Sequence, residues 1–285
     1  MTLTTLLRDF YAPLRSLSDR TILVYGFTID AFGDFLGHEP TVADLEELTV
    51  ARFLAHRVRQ RAAATAAKDR AQLRALWEFA ARRKLSDTWP LMPVVRVPER
   101  VPEAWLTEEF QRLLDSAAQE KTNYDGIPAA AFWRALLLAC YDTGERVTSV
   151  MSTRWRNVHG KAILFAAENR KGRRRDILRE ISEETQAALD QIRCSRSAND
   201  LVWPWPRSWT YLWTRLEIIL KRAGLPHDRK DKFHKIRKTT ASYYRAAGGD
   251  AQQLLDHANP TTTRRYLDPR IVKGLSAPDV LPKVS

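Results

Sequence analysis

Four prolines, Pro90, Pro93, Pro98 and Pro102, fall within residues 89–103. Proline fixes φ and has no backbone N–H, so no helix or interior strand can run through such a stretch. The segment therefore reads as an extended linker. It divides the 285 residues into an N-terminal part, 1–88, and a larger C-terminal part, 104–285. Each is long enough to bury a core of its own.

The N-terminal part reads as all-helical. Leu23, Phe27, Ala31 and Phe35 recur every four residues, which predicts a helix over 21–36, closed by Gly37 and Pro40. A short helix is expected at 41–47 and another at 50–60 behind a Thr49 cap. The alanine-rich stretch 62–84 makes a fourth, with Leu73, Leu76, Trp77 and Ala80 on its inner side. Four helices in this length make a compact bundle.

The C-terminal part reads as mostly helical with a small β-hairpin, giving an α+β whole dominated by helix. A helix is expected to start at Thr107 and run through Leu113 and Ala117. Residues 129–141 are apolar nearly all round, which predicts a buried helix ended by Gly144. Residues 161–178 read as two strands, Ile163–Phe165 and Asp176–Leu178, with Lys171 and Gly172 at the tip. Helices follow at 182–192 and at 209–224, the latter with Leu212, Leu216 and Ile219 inward. Three short helices are expected over 231–266.

Charge is uneven. Residues 1–103 carry 15 basic and 13 acidic side chains, whereas residues 104–285 carry 31 and 21. A basic excess on one part favours a polyanionic partner. The two cysteines, Cys140 and Cys194, are far apart and form no CxxC, which points to a reducing compartment and away from a thiolate metal site. No apolar run is long enough to span a membrane. The first twenty residues lack an apolar signal core and read as part of the fold. Neither a GxxxxGK[ST] loop nor HExxH occurs, so nothing supports ATP-driven or zinc chemistry.

The residues that could carry chemistry cluster late in the chain. His234 and Arg237 are three apart and would share one helix face. His257 and Tyr266 are nine apart, with Thr262 and Thr263 between them, and Asn259 and Pro260 form a helix start. Arg146 ends the run Thr143-Gly144-Glu145-Arg146. On its own each pattern is commonplace. Together they supply two guanidiniums for an oxyanion, two imidazoles for protons and a phenol for attack, enough to break a phosphodiester without a metal.

The order and spacing of these residues resemble the tyrosine recombinase (phage integrase) family, which carries Thr-Gly-x-Arg, His-x-x-Arg and a Tyr nine positions after a second His. The resemblance implies that Tyr266 is the nucleophile, that Arg146, Arg237 and His257 hold the phosphate, and that His234 assists proton transfer. It implies a catalytic lysine on the hairpin turn, here Lys171, and a helical core-binding domain over 1–88. No cofactor and no metal are expected. Double-stranded DNA is the expected partner, with Arg170, Arg173, Arg174, Arg175, Lys235, Lys238 and Arg264 as phosphate contacts. The chain is expected to form a homotetramer on paired sites, to be a monomer or weak dimer off DNA, and to act in the cytoplasm, with accessory DNA-bending proteins as a further partner class. With no arm-binding segment ahead of the bundle, a simple recombinase is expected rather than one of the largest integrases. The tail 267–285 either docks on a neighbouring protomer or packs in cis. Three positions depart from the family pattern. Ser149 stands where a carboxylate is usual, Asp256 where a glycine precedes the second histidine, and Leu178 where a proline follows the hairpin. Two other readings stay open: a type IB topoisomerase-like enzyme, which shares this chemistry, and a catalytically degraded DNA-binding protein, which Ser149 and Asp256 keep alive.

Overall fold

The computed structural model describes residues 1–170, 172, 175–274 and 281. The chain folds into two compact units, Met1–Arg100 and Val101–Ser285.

The first unit is entirely helical. α1 (Leu3–Thr5) continues through a π-helical stretch, Leu6–Tyr11, into α2 (Ala12–Leu14). Leu3, Leu6 and Leu7 on this run are buried core residues, an element that the sequence reading did not resolve. α3 (Asp19–Leu36) starts on a Ser18 cap, whose hydroxyl accepts the Thr21 N–H at 3.3 Å, and stops at Gly37 in the left-handed conformation. Its inner face is Thr28, Ile29 and Phe32, whereas Leu23 and Phe27 of the expected apolar stripe are exposed. The short helix expected at 41–47 is a single 3-10 turn, Val42–Asp44, whose start is capped by the Asp44 carboxylate accepting the Thr41 N–H at 2.7 Å. α4 (Glu47–Gln60) and α5 (Ala63–Arg82) complete the bundle. Leu73, Leu76, Trp77 and Ala80 of α5 all face inward. Beneath them the buried Asp69 carboxylate accepts from Thr28 Oγ1 at 2.7 Å and Arg57 Nε at 2.8 Å.

Residues 89–106 form neither helix nor strand. The proline-rich stretch is nevertheless not a free tether. Met92 and Val95 pack on the first unit's core, and Arg70 Nε donates to the Pro93 carbonyl at 2.6 Å.

The second unit is built around α7 (Ala129–Thr143), ten of whose residues are buried. α6 (Thr107–Ala117) precedes it, followed by a two-stranded ribbon of β1 (Asn123–Tyr124) and β2 (Ile127–Pro128). After α8 (Val147–Met151) come β3 (Val158–His159), β4 (Ala162–Phe165) and β5 (Ile177–Glu180) in one antiparallel sheet of that order. The expected second hairpin strand is thus shifted. It begins at Ile177, paired with Phe165, while Asp176 leaves the ladder and its carboxylate caps the Ala167 N–H at 2.8 Å. α9 (Glu183–Arg193) and α10 (Trp209–Arg222) pack on this frame, with Leu212, Leu216 and Ile219 inside. α11 (Phe233–Ala246), α12 (Ala251–Leu255) and α13 (Pro260–Arg264) finish the unit, and α11 is a full-length helix rather than a short one. Among the described residues, no helix is long and apolar enough to cross a membrane.

Candidate active site

The turn after α7 uses every residue of Thr143-Gly144-Glu145-Arg146. The Thr143 hydroxyl donates to the Ala139 carbonyl at 2.6 Å and accepts the Glu145 N–H at 3.2 Å, which closes the helix end. Gly144 sits at φ +59°, a left-handed conformation that glycine enters without the Cβ penalty. A Cβ there would lie 3.3 Å from Thr240 Cγ2 on α11, tighter than an ordinary contact, so a side chain would also require Thr240 to shift. Glu145 is buried, and Arg146, partly exposed, takes the N-cap position of α8.

α11 crosses behind this turn and carries His234 and Arg237. Arg237 is among the largest fully enclosed side chains of the protein. Its guanidinium donates to the Gly144 carbonyl and, at 2.6 Å, to the Leu255 carbonyl. One side chain therefore ties the arginine turn to the segment preceding His257. The Arg237 Nε is buried and has no hydrogen-bond partner among the described residues. Burial first, and then the nearby Arg146 charge, lower the Arg237 pKa to about 10.

His257 follows α12, and Tyr266 follows α13, whose Asn259 cap and leading Pro260 are as expected. Tyr266 lies two residues beyond α13 rather than in its last turn, held by its N–H on the Thr263 carbonyl at 2.8 Å. The Ser242 hydroxyl of α11 donates to the Tyr266 carbonyl at 3.1 Å and accepts the Asp268 N–H at 3.0 Å, which pins the tyrosine segment to the helix bearing His234 and Arg237. The Tyr266 ring sits between the two histidines, its centroid 4.9 Å from His234 and 4.8 Å from His257, both edge-on. The Arg237 guanidinium lies 5.9 Å from the same ring centroid.

Both imidazoles are held neutral. His234 reaches solvent, yet partial desolvation and the charges of Lys238, Arg237 and Arg146 lower its pKa to about 4. Desolvation and the same two arginines bring His257 to about 4, against a smaller opposing pull from Asp256. His257 Nδ1 is 3.1 Å from the Thr263 hydroxyl, and its Nε2 is buried without a partner. With Thr263 donating to Nδ1, Nε2 carries the proton and is a hydrogen-bond donor without an acceptor. Cationic arginines and unpartnered donors gathered around a phenol form a receptor for an anion.

Comparison with known proteins agrees with this geometry. Residues 105–271 match the model of the phage integrase family, and residues 7–84 match that of the phage integrase N-terminal SAM-like domain. The chain belongs to the phage integrase family. Its members, the tyrosine recombinases, are DNA strand transferases. The tyrosine recombinase XerD of Halalkalibacterium halodurans is 25% identical over 271 residues, covering 88% of each chain. Solved structures share the fold. One is a lambda integrase dimer bound to a COC′ core site, 18% identical, covering 97% of this chain and 80% of that one at a TM-score of 0.71. Another is the Tn1549 transposon integrase in complex with transposon right end DNA, 11% identical, covering 98% and 97% at 0.75. A lambda integrase tetramer bound to a Holliday junction is similar at 0.66, with 18% identity, covering 92% and 79%.

This integrase brings together Arg146, His234, Arg237, His257 and Tyr266. Lys171, Arg173 and Arg174 lie outside the described residues. Two expected DNA contacts are corrected. Arg170 is buried, with one nitrogen on Glu145 and another on Asp256, both at 3.1 Å. Lys235 is buried over the Trp105 ring, 3.8 Å from its centroid, and donates to Asp231 at 3.2 Å. Neither can meet a phosphate without breaking internal ion pairs. Lys238 is partly exposed on α11, Arg264 is exposed on α13, and Arg175 is exposed but paired with Asp256 at 2.9 Å.

The departures from the family pattern gain physical content. Ser149 is buried and its hydroxyl donates to the Asn169 carbonyl at 3.1 Å, so it braces the stretch leading into the hairpin turn without a charge. Asp256 occupies φ +52°, the conformation that explains a glycine at this position. Its carboxylate turns to Arg170 and Arg175, which, against the opposing effect of burial, hold its pKa below the usual carboxylate range. Residues beyond Tyr266 begin in cis: the buried Asp268 accepts the Ala104 N–H at 2.7 Å and pairs with Arg270 at 2.7 Å. The tail residues 275–280 and 282–285 lie outside the described residues. The sequence reading missed Glu145, Arg179 and Asp268. No local pattern marks them as interior: Glu145 adjoins Arg146, Arg179 adjoins Glu180, and Asp268 adjoins Pro269.

Proposed function

We propose that this chain is a site-specific DNA recombinase that cuts and rejoins duplex DNA through a 3′-phosphotyrosyl intermediate, without metal or ATP. The observation carrying the reading is the Tyr266 ring set between two neutral histidines and beside Arg237. The Tyr266 phenol attacks the phosphorus and its proton passes to His234, which is neutral and so has a ring nitrogen free to accept it. As the P–O(Tyr) bond forms, charge grows on the non-bridging oxygens. Arg146, Arg237 and the Nε2 proton of His257 stabilise it. The P–O5′ bond breaks and O5′ takes a proton from the Lys171 ammonium, leaving a free 5′-hydroxyl. Attack by another strand's 5′-hydroxyl, with the protons moving back, restores the phosphodiester and frees Tyr266. One bond is exchanged for another of similar energy, so no external energy source is needed.

The partner on this reading is duplex DNA, with assembly of several protomers on paired sites. The tetrameric state of the lambda integrase on a Holliday junction supports that assembly. The helical unit, 1–88 in the sequence reading, would be the core-binding domain. Binding should rest on phosphate contacts and weaken steeply with salt.

The test is covalent trapping on nicked suicide duplexes drawn from the DNA flanking the chain's own gene. A chelator-resistant protein–DNA adduct is expected with the unmodified chain and none with Tyr266→Phe, while the variant still binds the same duplex. An adduct that survives Tyr266→Phe, or that forms only with added divalent metal, would overturn the assignment. A two-site exchange assay then separates recombination from the resealing of a single strand.

A further inference from the structure

The described residues contain an ion network that no step above uses. The buried Glu145 accepts from Arg170 Nη2 at 3.1 Å. Arg170 Nη1 donates to Asp256 Oδ2 at 3.1 Å and to the Arg175 carbonyl at 3.3 Å. Arg175 Nη2 donates to Asp256 Oδ1 at 2.9 Å. Each carboxylate oxygen of Asp256 therefore holds a different arginine, and the two arginines stand at the two ends of the segment 171–174. Three of the four anchors are chain neighbours of a residue assigned to the chemistry. Glu145 precedes Arg146, Arg170 precedes Lys171, and Asp256 precedes His257.

Asp256 is an expensive choice for this place. It sits in the left-handed region, where an aspartate is strained and a glycine is not. A carboxylate near a phosphate site also repels the substrate. Its pairing removes the second objection, since the charge is turned into two guanidiniums rather than towards Tyr266. The first objection remains unless the side chain has a task.

We propose that Asp256 is a positioning residue for protonation of the leaving group: by clasping Arg170 and Arg175 it fixes both ends of the basic segment against the turn that carries His257. The proposal rests on the reading of a segment residue, Lys171, as the acid that protonates O5′. It predicts a defect confined to the step in which the P–O5′ bond breaks. The Arg146, Arg237 and His257 contacts to the non-bridging oxygens stay in place, because Arg237 holds the Leu255 carbonyl independently of Asp256.

The test uses Asp256→Gly in the full chain, a change that relieves the backbone and removes the clasp, together with the smaller pull of the Asp256 charge on His257. Single-turnover cleavage is measured on whichever suicide duplex the unmodified chain cuts, and on the same duplex with sulfur replacing the bridging 5′-oxygen. A thiol has a pKa of roughly 8.5, so a 5′-thiolate departs without a proton. On the oxygen substrate the variant should be slower by roughly 10- to 100-fold, the usual cost of losing an outer support of a reacting group. On the sulfur substrate it should match the unmodified chain. Asp256→Asn keeps the volume and the turn and should show the same selectivity at smaller size, so the result does not depend on one variant folding. Equal loss on both substrates, or no loss on either, overturns the proposal. Lys171→Ala, run in parallel, tests the underlying reading separately. If sulfur rescues Asp256→Gly but not Lys171→Ala, the clasp stands and the acid is another residue of the segment. If sulfur rescues Lys171→Ala but not Asp256→Gly, the acid stands and the clasp fails.

Discussion

Arg237→Met is the perturbation that most sharply separates chemistry from architecture. Methionine is apolar and close in length, so it fills much of the same space. The Arg237 pKa of about 10 means that keeping this charge in the DNA-free site costs roughly 3 kcal/mol. Against that stand two charge-assisted hydrogen bonds, to the Gly144 and Leu255 carbonyls, worth about 1.5–3 kcal/mol each. The terms largely offset, and the variant should lose only about 0–3 kcal/mol of stability, a Tm drop of at most about 6–12 °C for a unit of this size. Cleavage should suffer far more. Removing one oxyanion donor costs about 10²–10³ in rate. The two carbonyls that position the neighbouring motifs are released at the same time, so roughly 10³ is the expected minimum. Single-turnover cleavage at saturating DNA, with thermal melting of the free protein, measures both. A rate within tenfold of the unmodified chain would reduce Arg237 to a strut. A Tm drop beyond about 20 °C would show that its charge is well compensated without DNA, and the argument from burial would fail.

Two further outcomes follow from the same geometry. His257 is lowered to about 4 in the folded chain against an ordinary value of 6.5. The unfolded state therefore binds more protons between these values, so stability should fall as pH drops from about 6.5 towards 4 and be level above; Tm measured across that range should fall less in His257→Gln, and an identical slope in the variant would refute the shift. Gly144→Ala places a Cβ at φ +59° and 3.3 Å from Thr240 Cγ2. It should cost about 1–2 kcal/mol from the left-handed backbone alone and slow cleavage by displacing the carbonyl that Arg237 holds, whereas an unchanged Tm would mean that the turn is not rigid.

What the sequence made legible was whatever depends on short spacing. The inward faces of α5 and α10 follow from i, i+3 and i+4 patterns, and the nine-residue step from His257 to Tyr266 survives because a single capped helix turn lies between them. The α3 stripe misled, since spacing finds a helix but not which side meets a partner: Phe27 is exposed while Ile29 and Phe32 are buried. The run Leu3–Leu14 escaped because its buried leucines lie along a π-wound stretch that departs from the α-helical period. Arg170 and Lys235 escaped for a different reason. A run of cations reads as a solvated surface, and the carboxylates that bury Arg170 are 25 and 86 residues away. Fold alone decides whether an arginine faces DNA or an interior carboxylate.

The site as folded is short of negative charge, and this shortage explains its chemistry better than any single residue does. Arg237, His234 and His257 are all perturbed in the same direction, towards losing a proton. Each is buried or crowded by like charge, and two of the three present an unpartnered nitrogen. The acidic residues that could have neutralised them, Glu145 and Asp256, are occupied with Arg170, Arg175 and Arg179 instead. The ion pairs of Glu145 and Asp256 therefore lie in the frame behind Arg237, His234 and His257 rather than on them. On the proposed function a phosphodiester would supply the missing charge, and the pentacoordinate transition state would supply more of it than the ground state does. Donors that are held in place, partly dehydrated and unpaired need little reorganisation when that charge develops. On that proposal the fold would stabilise the transition state over the bound substrate, and it would do so with groups whose positions are set by carbonyls, a hydroxyl and a clasp of ion pairs rather than by the DNA itself.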